Sequence, residues 1–584
     1  MSKLTRLAVA ALVVLTFLSQ VRAQTADLIL HGGKIVAVDK DFTIHQAIAV
    51  KDGRIIAVGT NGDVLKLLGS ETATIDLAGK TVLPGLIDSH THPVGAAMHE
   101  WNGEIPDMQT VQDVLDYVKA RARVLQKGEW ISLSQVFITR LKERRYPTRT
   151  ELDGAAPEHP VVFSTGPDSS LNSLALSLSG IDRNFKDSAT GKVERDENGE
   201  PTGILRNMGG AVKFVAPKGG KSAGEQDRYA RVSALFKDYN SVGITGIADR
   251  DCGKGNVDLY QNMLDHGDLT LRVACSRSLG TGGNPEAIRF HIREIAKEAQ
   301  APANDAQRAE KARDMLRIVG VKIYLDGGML TGSARMLKPW GVSKIYAIDD
   351  PNYQGVFRTA PEKLAPIVET AVENGLQFTA HSVGDGAVHA LIDAYEKASE
   401  KQPASKTRCC ITHSNFMSAQ AIERMAKLGI VADIQPAWLY LDAATLHAQF
   451  GLERLRYFQP LKSCFEKGVI VGGGSDHMQK IGSLRSINPY NPWLGMWTTL
   501  ARQPRNFEGE FHGQEKLSRQ QAIRFYTANN AFITFREHNT GSIEKGKLAD
   551  LIVIDRDVLT CKLDDIRDTQ VLRTYLAGKL VHEK

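Results

Sequence analysis

The chain has 584 residues, 42% hydrophobic and 24% charged, with a formal net charge of +5. These proportions exclude a disordered, collagen-like or disulfide-stapled protein and leave ample chain for a barrel-sized domain with additions. Three of the positive charges, on Lys3, Arg6 and Arg22, lie in a segment expected to be removed; the remaining +2 gives no reason to expect nucleic acid or an anionic membrane as a partner.

That first segment reads as a targeting signal. Lys3 and Arg6 precede an apolar run from Leu7 to Leu18, and Val21-Arg22-Ala23 offers a cleavage point. The run falls short of the ~20 residues that span a bilayer. The expectation is therefore a signal peptide over residues 1–23 and an exported protein, periplasmic or secreted, with no stable membrane insertion after cleavage. The six cysteines are scattered without a C-x-x-C pair, which predicts no obligatory disulfide.

Short apolar strands separated by Gly-Gly and Asp-Gly turns follow: Asp27–Leu30, Ile35–Val38, Ala47–Val50 and Ile55–Gly59. The far end echoes them, with Leu551–Ile554 and Leu576–Val581. Residues 24–81 and 531–584 are thus expected to meet as the two parts of one small β-sandwich.

Between them, residues 82–530 alternate apolar strands with helical stretches, the pattern of a parallel sheet. Eight strands can be counted: Val82–Asp88, Ile244–Asp249, Thr270–Ser276, Ile318–Leu325, Leu376–His381, Cys409–His413, Ile430–Gln435 and Val469–Gly473. Eight units predict an α/β fold, a (β/α)8 TIM barrel, with its active site at the C-terminal strand ends. About 155 residues separate the first two strands, so residues 95–235 are expected to form a large insertion on that face. Val111, Val114, Leu115 and Val118 mark an amphipathic helix within it, and Ser518 with Gln521 predicts a capped helix near the barrel's end.

The strand ends carry the chemistry. His90 and His92 lie two residues apart, so an extended chain turns both imidazoles to one side. His381, His413 and Asp476 end or follow three other strands. Each alone is an ordinary capping or turn residue. Together at one barrel face they suit a divalent metal, with zinc the first choice and manganese, iron or cobalt as alternatives. Lys322 sits inside an apolar strand, where an ammonium is costly to bury. A lysine there can snorkel, act as a Schiff-base nucleophile, or react as a neutral amine with carbon dioxide to give a carbamate.

The segment Leu83-Pro84-Gly85-Leu86-Ile87-Asp88-Ser89-His90-Thr91-His92, the lysine strand Val321–Gly327, His381-Ser382-Val383-Gly384-Asp385 and the terminal Gly546-Lys547-Leu548-Ala549-Asp550 together resemble the amidohydrolase superfamily. More narrowly they resemble its amidohydrolase 3 (YtcJ-like) group, which includes N-substituted formamide deformylases. The resemblance implies a binuclear site with two divalent ions per chain, zinc first. His90, His92 and Asp476 would hold the first metal, His381 and His413 the second, with carbamylated Lys322 bridging.

It further implies a hydrolase acting on a C–N bond of an amide, such as an N-substituted amide or formamide, through hydroxide generated at the metals, with Asp476 carrying the proton. A carbamate, ester or lactone hydrolase and a deaminase are alternatives on the same barrel. A non-enzymatic exported binding protein would have no use for the complete ligand set. Trp438 and Trp493 follow strands seven and eight and are candidates for contact with an apolar part of a small-molecule substrate, core packing being their alternative. Asp385 can orient a ligand histidine or contact substrate, a turn-capping role being its alternative. A homo-oligomer is compatible with the sequence.

Overall fold

The computed structural model describes residues 25–584 except 135, 167, 189–190, 217–221, 301–313 and 347. The signal-peptide segment, residues 1–23, lies outside the described residues. Among the described residues no helix is long and apolar enough to cross a membrane, and all six cysteines are free thiols.

Both chain ends build one sandwich. A four-stranded sheet runs in the order Arg54–Gly59, Ala47–Lys51, Leu28–His31, Ala73–Asp76. A six-stranded sheet joins Lys579–Glu583, Val571–Leu576, Leu551–Ile554, Thr81–Pro84, Lys34–Val36 and Ile44–His45. Leu28, Leu30, Ile48 and Val50 of the first sheet pack with Ile35, Val82, Leu551 and Val553 of the second. The alternation of apolar residues in short β-branched strands buries one face of each sheet. The run expected as a strand over Leu576–Val581 straddles a turn instead: Ala577-Gly578 joins two antiparallel strands.

The first barrel strand also differs from expectation. Val82–Asp88 divides at Gly85, the residues before it pairing in the sandwich and those after it entering the barrel. A side chain at Gly85 would place its Cβ 2.1 Å from the Thr245 hydroxyl, so the chain passes between the two layers only with glycine there.

Eight parallel strands form the barrel: β1 (Leu86–Thr91), β2 (Ile244–Cys252), β3 (Arg272–Ser278), β4 (Leu316–Tyr324), β5 (Gln377–Ser382), β6 (Cys410–His413), β7 (Val431–Ile434) and β8 (Val471–Gly473). The ring closes where the Asp476 amide donates to the His90 carbonyl (2.8 Å) and the His92 amide to the His477 carbonyl (2.8 Å). Asn530 straps the same seam by donating to the carbonyls of Ile87 and Gly473. The capped helix is present as Arg519–Tyr526, with Ser518 and Gln521 bonded reciprocally.

The insertion leaves after β1. Its helix Val111–Val124 buries Val111, Val114 and Val118, while Leu115 is half-buried. Its five-stranded sheet has the order Lys192–Arg195, Pro201–Arg206, Asp168–Leu171, Val161–Thr165, Ile131–Ser134. Glu225–Ser241 packs Val232, Leu235 and Phe236 against Ile244 and Ile247 of β2, so it belongs to the barrel's helical layer.

Val111, Leu133, Phe137 and Phe163 of the insertion share one apolar cluster with Met329, Trp340, Phe416 and Trp438 from the barrel loops. Two buried arginines fasten it further. Arg140 binds Asp442 through Nε (3.1 Å) and Nη2 (2.7 Å). Arg206 donates to Glu194 (2.7 Å), Asp168 (2.9 Å), the Tyr146 hydroxyl (2.9 Å) and the Thr331 carbonyl (2.5 Å). The last of these bonds ties the insertion to the loop after β4.

Candidate metal centre

The C-terminal strand ends open into a cavity of about 640 Å³. His90, His92, Lys322, His381, His413, Trp438 and Asp476 all line it, with Phe137 and Gly166 contributed by the insertion. The insertion therefore reaches the face on which it was expected to lie.

His90 Nε2, His92 Nε2 and Asp476 Oδ1 form a nearly equilateral triangle with sides of 3.2, 3.2 and 3.4 Å. Ligands ~2.0–2.2 Å from a tetrahedral ion stand roughly 3.4 Å apart, so the triangle has the dimensions of a metal-binding face. It is the one group of three such donors among the described residues. Close approach makes it possible: a Cβ on Gly474 would lie 2.9 Å from the His90 amide, so only glycine lets the segment that leads from β8 to Asp476 lie against β1.

The other ligand candidates converge beside it. The His381 and His413 rings lie 4.5 Å apart, and His413 lies 4.9 Å from His90. His413 and Asp476 adopt left-handed backbone, with φ of 77° and 55°. Such conformations cost energy in residues with a Cβ and collect at functional sites.

Hydrogen bonding fixes which nitrogen of each ring is free. His90 Nδ1 donates to Asp433 Oδ1 (2.8 Å), His413 Nδ1 to Gln435 Oε1 (2.8 Å) and His381 Nε2 to the Gly327 carbonyl (3.1 Å). The lone pairs of His90 Nε2, His413 Nε2 and His381 Nδ1 are thereby left for a ligand. Gln435 Nε2 donates to Asp433 (3.0 Å), so one Asp-Gln link orients a histidine in each half of the site. Asp433 also accepts from Thr412 (3.1 Å) and lies 3.4 Å from the buried Arg250.

Electrostatics point the same way. Lys322 is 1% exposed and its Nζ has no hydrogen-bond partner. Burial lowers its pKa, favouring the neutral amine. Burial pushes His381 down to about 3 and holds His90 and His413 well below the ordinary imidazole value, so these rings are neutral. Burial opposes charge on His92, but its hydrogen bond to Asp476 and that carboxylate's charge raise it overall. Burial raises Asp476. Neutral imidazoles, an unpartnered amine and a carboxylate converging in a buried space fit the donor set of divalent metals.

Trp438 stacks on His413 at 4.7 Å and faces the cavity. Trp493 and Asp385 do not reach it. Trp493 is fully buried on helix Pro492–Ala501 within the main core, because that helix turns this face against the barrel. Asp385 opens helix Asp385–Ser399 and accepts from the Leu337 amide (2.8 Å), bracing a loop. Sequence reasoning passed over Asp433 and Gln435. Their signal was present: polar side chains in and just after an apolar strand, the same mark that singled out Lys322.

The amidohydrolase family profile matches residues 73–582. The chain is 28% identical over 570 residues to an N-substituted formamide deformylase of Arthrobacter pascens, covering 96% of this chain and 99% of the relative. It is 26% identical over 563 residues to the putative amidohydrolase YtcJ of Bacillus subtilis, covering 95% and 99%. The fold is similar to that of an uncharacterized metal-dependent hydrolase from Pyrococcus horikoshii, with a TM-score of 0.65 at 21% identity, over 92% of this chain and 99% of that one.

Proposed function

The chain belongs to the amidohydrolase family, and from that premise we propose that it is a metal-dependent hydrolase cleaving an amide-type C–N bond, with N-substituted amides or formamides as substrates. The observation that carries this reading is the convergence of four histidines, Asp476 and the unpartnered Lys322 amine on one cavity.

His90, His92 and Asp476 would hold one divalent ion and His381 and His413 another, with Lys322 between them as a carbamate. Zinc suits this nitrogen and carboxylate set first, ahead of manganese, iron or cobalt. When bound, the ions acidify water and withdraw electron density from the substrate carbonyl.

The chain's own residues do the rest. Asp476 takes the proton of the attacking water and delivers it to the leaving nitrogen. A C–O bond forms at the carbonyl carbon, the C–N bond breaks, and a carboxylate and an amine leave. Asp433 and Gln435 keep the histidine rings in register, so no reorientation accompanies the reaction. Trp438 and Phe137 give the cavity apolar wall, the latter from the insertion.

The test is elemental analysis of the purified protein together with hydrolysis of N-substituted formamides and acetamides. About two ions per chain and amine release are expected. No retained metal and no hydrolysis, after purification with metal supplied, would overturn the reading. Export to the periplasm or medium is also proposed, on the Lys3–Ala23 segment. A mature N-terminus at Gln24 in the exported fraction is expected; Met1 retained on cytoplasmic protein would refute it.

A further inference from the structure

The cavity holds one cation that the proposed hydrolysis does not use. Arg358 lines the cavity while being solvent-exposed. It has no carboxylate within ion-pair distance, and its guanidinium makes no hydrogen bond among the described residues. Three other arginines near the active face are engaged, Arg206 with Asp168 and Glu194, Arg140 with Asp442, and Arg250 with Asp433, and Arg335 does not line the cavity.

Its backbone is firmly placed. The Arg358 amide donates to the Leu325 carbonyl (2.8 Å), and the Thr359 hydroxyl donates to the Tyr324 carbonyl (2.8 Å). Phe357 pairs with Asp326, directly after the lysine strand. The return of the long loop after β4 is thus pinned to the strand that carries Lys322.

The guanidinium carbon stands 5.0 Å from the centre of the Tyr324 ring, and Lys322 Nζ stands 5.2 Å from the same point. The two groups are therefore no more than about 10 Å apart. In an amide whose amine half carries an α-carboxylate, three bonds separate the carboxylate carbon from the scissile carbonyl carbon. Adding a guanidinium–carboxylate contact gives a reach of roughly 8 Å from the arginine to the reacting carbon. That span lies within the upper bound set by the Tyr324 ring.

We propose that Arg358 is an anion-recognition residue, and that the preferred substrates are N-acylated amines bearing a carboxylate on the amine side. The planar, permanently charged guanidinium suits a carboxylate in bidentate geometry, and Tyr324 beneath it restricts its motion without using its donors. Asp251, which also lines the cavity, accepts from the Tyr324 hydroxyl (3.0 Å) and makes no ion pair with Arg358.

The kinetic part of the test rests on the hydrolase reading, so a binding measurement accompanies it. N-acetyl-leucine and N-(3-methylbutyl)acetamide differ only in the carboxylate. Wild-type protein is expected to favour the acid by about tenfold or more in kcat/KM, and Arg358→Met to lower that value by roughly 10- to 100-fold, the range of a charge-assisted bond. The neutral amide should lose far less, and Arg358→Lys should recover part of the loss. In parallel, calorimetry measures binding of 4-methylpentanoate, which has no scissile bond, to the purified wild-type and Arg358→Met proteins.

Weaker binding in the variant supports the anion site even if neither amide is hydrolysed, an outcome that would count against the hydrolase reading alone. Equal hydrolysis of acid and neutral amide by the wild type, an equal loss on both in Arg358→Met, or unchanged 4-methylpentanoate binding would overturn the anion site and leave the hydrolase reading standing.

Discussion

Two buried polar clusters lie on either side of the loop that follows β4, and they are built on opposite principles. In the insertion, Arg206 is surrounded by Asp168, Glu194, Tyr146 and the Thr331 carbonyl, so its charge is met from several sides. At the barrel mouth, three neutral histidines aim lone pairs at one another, and the Lys322 amine meets no partner. The first cluster is complete in itself and holds two parts of the chain together. The second lacks what it would take to be stable in isolation, since unpaired buried polar groups are costly. A folded chain keeps such a cluster when something from outside completes it.

The sharpest way to break the contrast is Lys322→Ala. Removing the proposed bridging group is expected to cut bound metal and to lower kcat/KM on the order of 10³ or more, several kcal/mol of charge stabilisation. Elemental analysis beside initial rates checks this. Full metal content with ordinary rates would place Lys322 among structural lysines.

Arg206→Met attacks the other cluster. It leaves Asp168 and Glu194 buried without their counter-charge, a loss of about 3–5 kcal/mol by analogy with broken buried pairs. Denaturant unfolding should show it, with metal content close to that of the wild type. Loss of metal as readily as in Lys322→Ala would mean the clusters are not separable.

A smaller effect is expected from Gln435→Leu, which cuts the link between Asp433 and His413. Metal affinity should fall about 10- to 100-fold, the usual consequence of losing a group that orients a ligand. Competition with a chelator measures it. An unchanged affinity would show that the Asp-Gln link is incidental.

The smallest effect concerns Glu151, which binds Arg145 and caps its own helix. The hydrogen bond from Arg145 holds its pKa down at about 2, against an ordinary 4.5. A carboxyl held low when folded stabilises the fold above the unfolded value and loses that contribution as pH falls toward 2. The pair is about one-third exposed, so solvent screening leaves about 1 kcal/mol. Glu151→Gln should cost that much at pH 7, and the gap from wild type should close progressively below pH 4.5. A gap independent of pH would assign the effect to the cap's hydrogen bonds alone.

How much of this was legible in the sequence depended on whether a residue's place was dictated locally. His90, His92, His381, His413 and Asp476 could be found because they end or follow apolar strands, and a barrel sends all its strand ends to one face. Lys322 betrayed itself as a charge within such a strand. The eight strands were placed to within a few residues, but the division at Gly85 was hidden, since a continuous apolar run does not show that two sheets share it.

Trp493 was misjudged because position after a strand gives no helical phase, and the helix rotates that ring into the core. Arg358 lies more than thirty residues beyond β4 in an irregular loop, and nothing near it in sequence marks its return to Tyr324.

The sandwich has a consequence for how the molecule comes into being. Leu83 pairs with Ile552, 469 positions later, so the strand that launches β1, already beside Lys34–Val36, gains its second neighbour only when nearly the whole chain has been made. Pairings of such long range form slowly, because loop closure must precede them. A ribosome nearing the last strands of this sequence therefore carries a chain in which the sheet beneath the barrel is still half built.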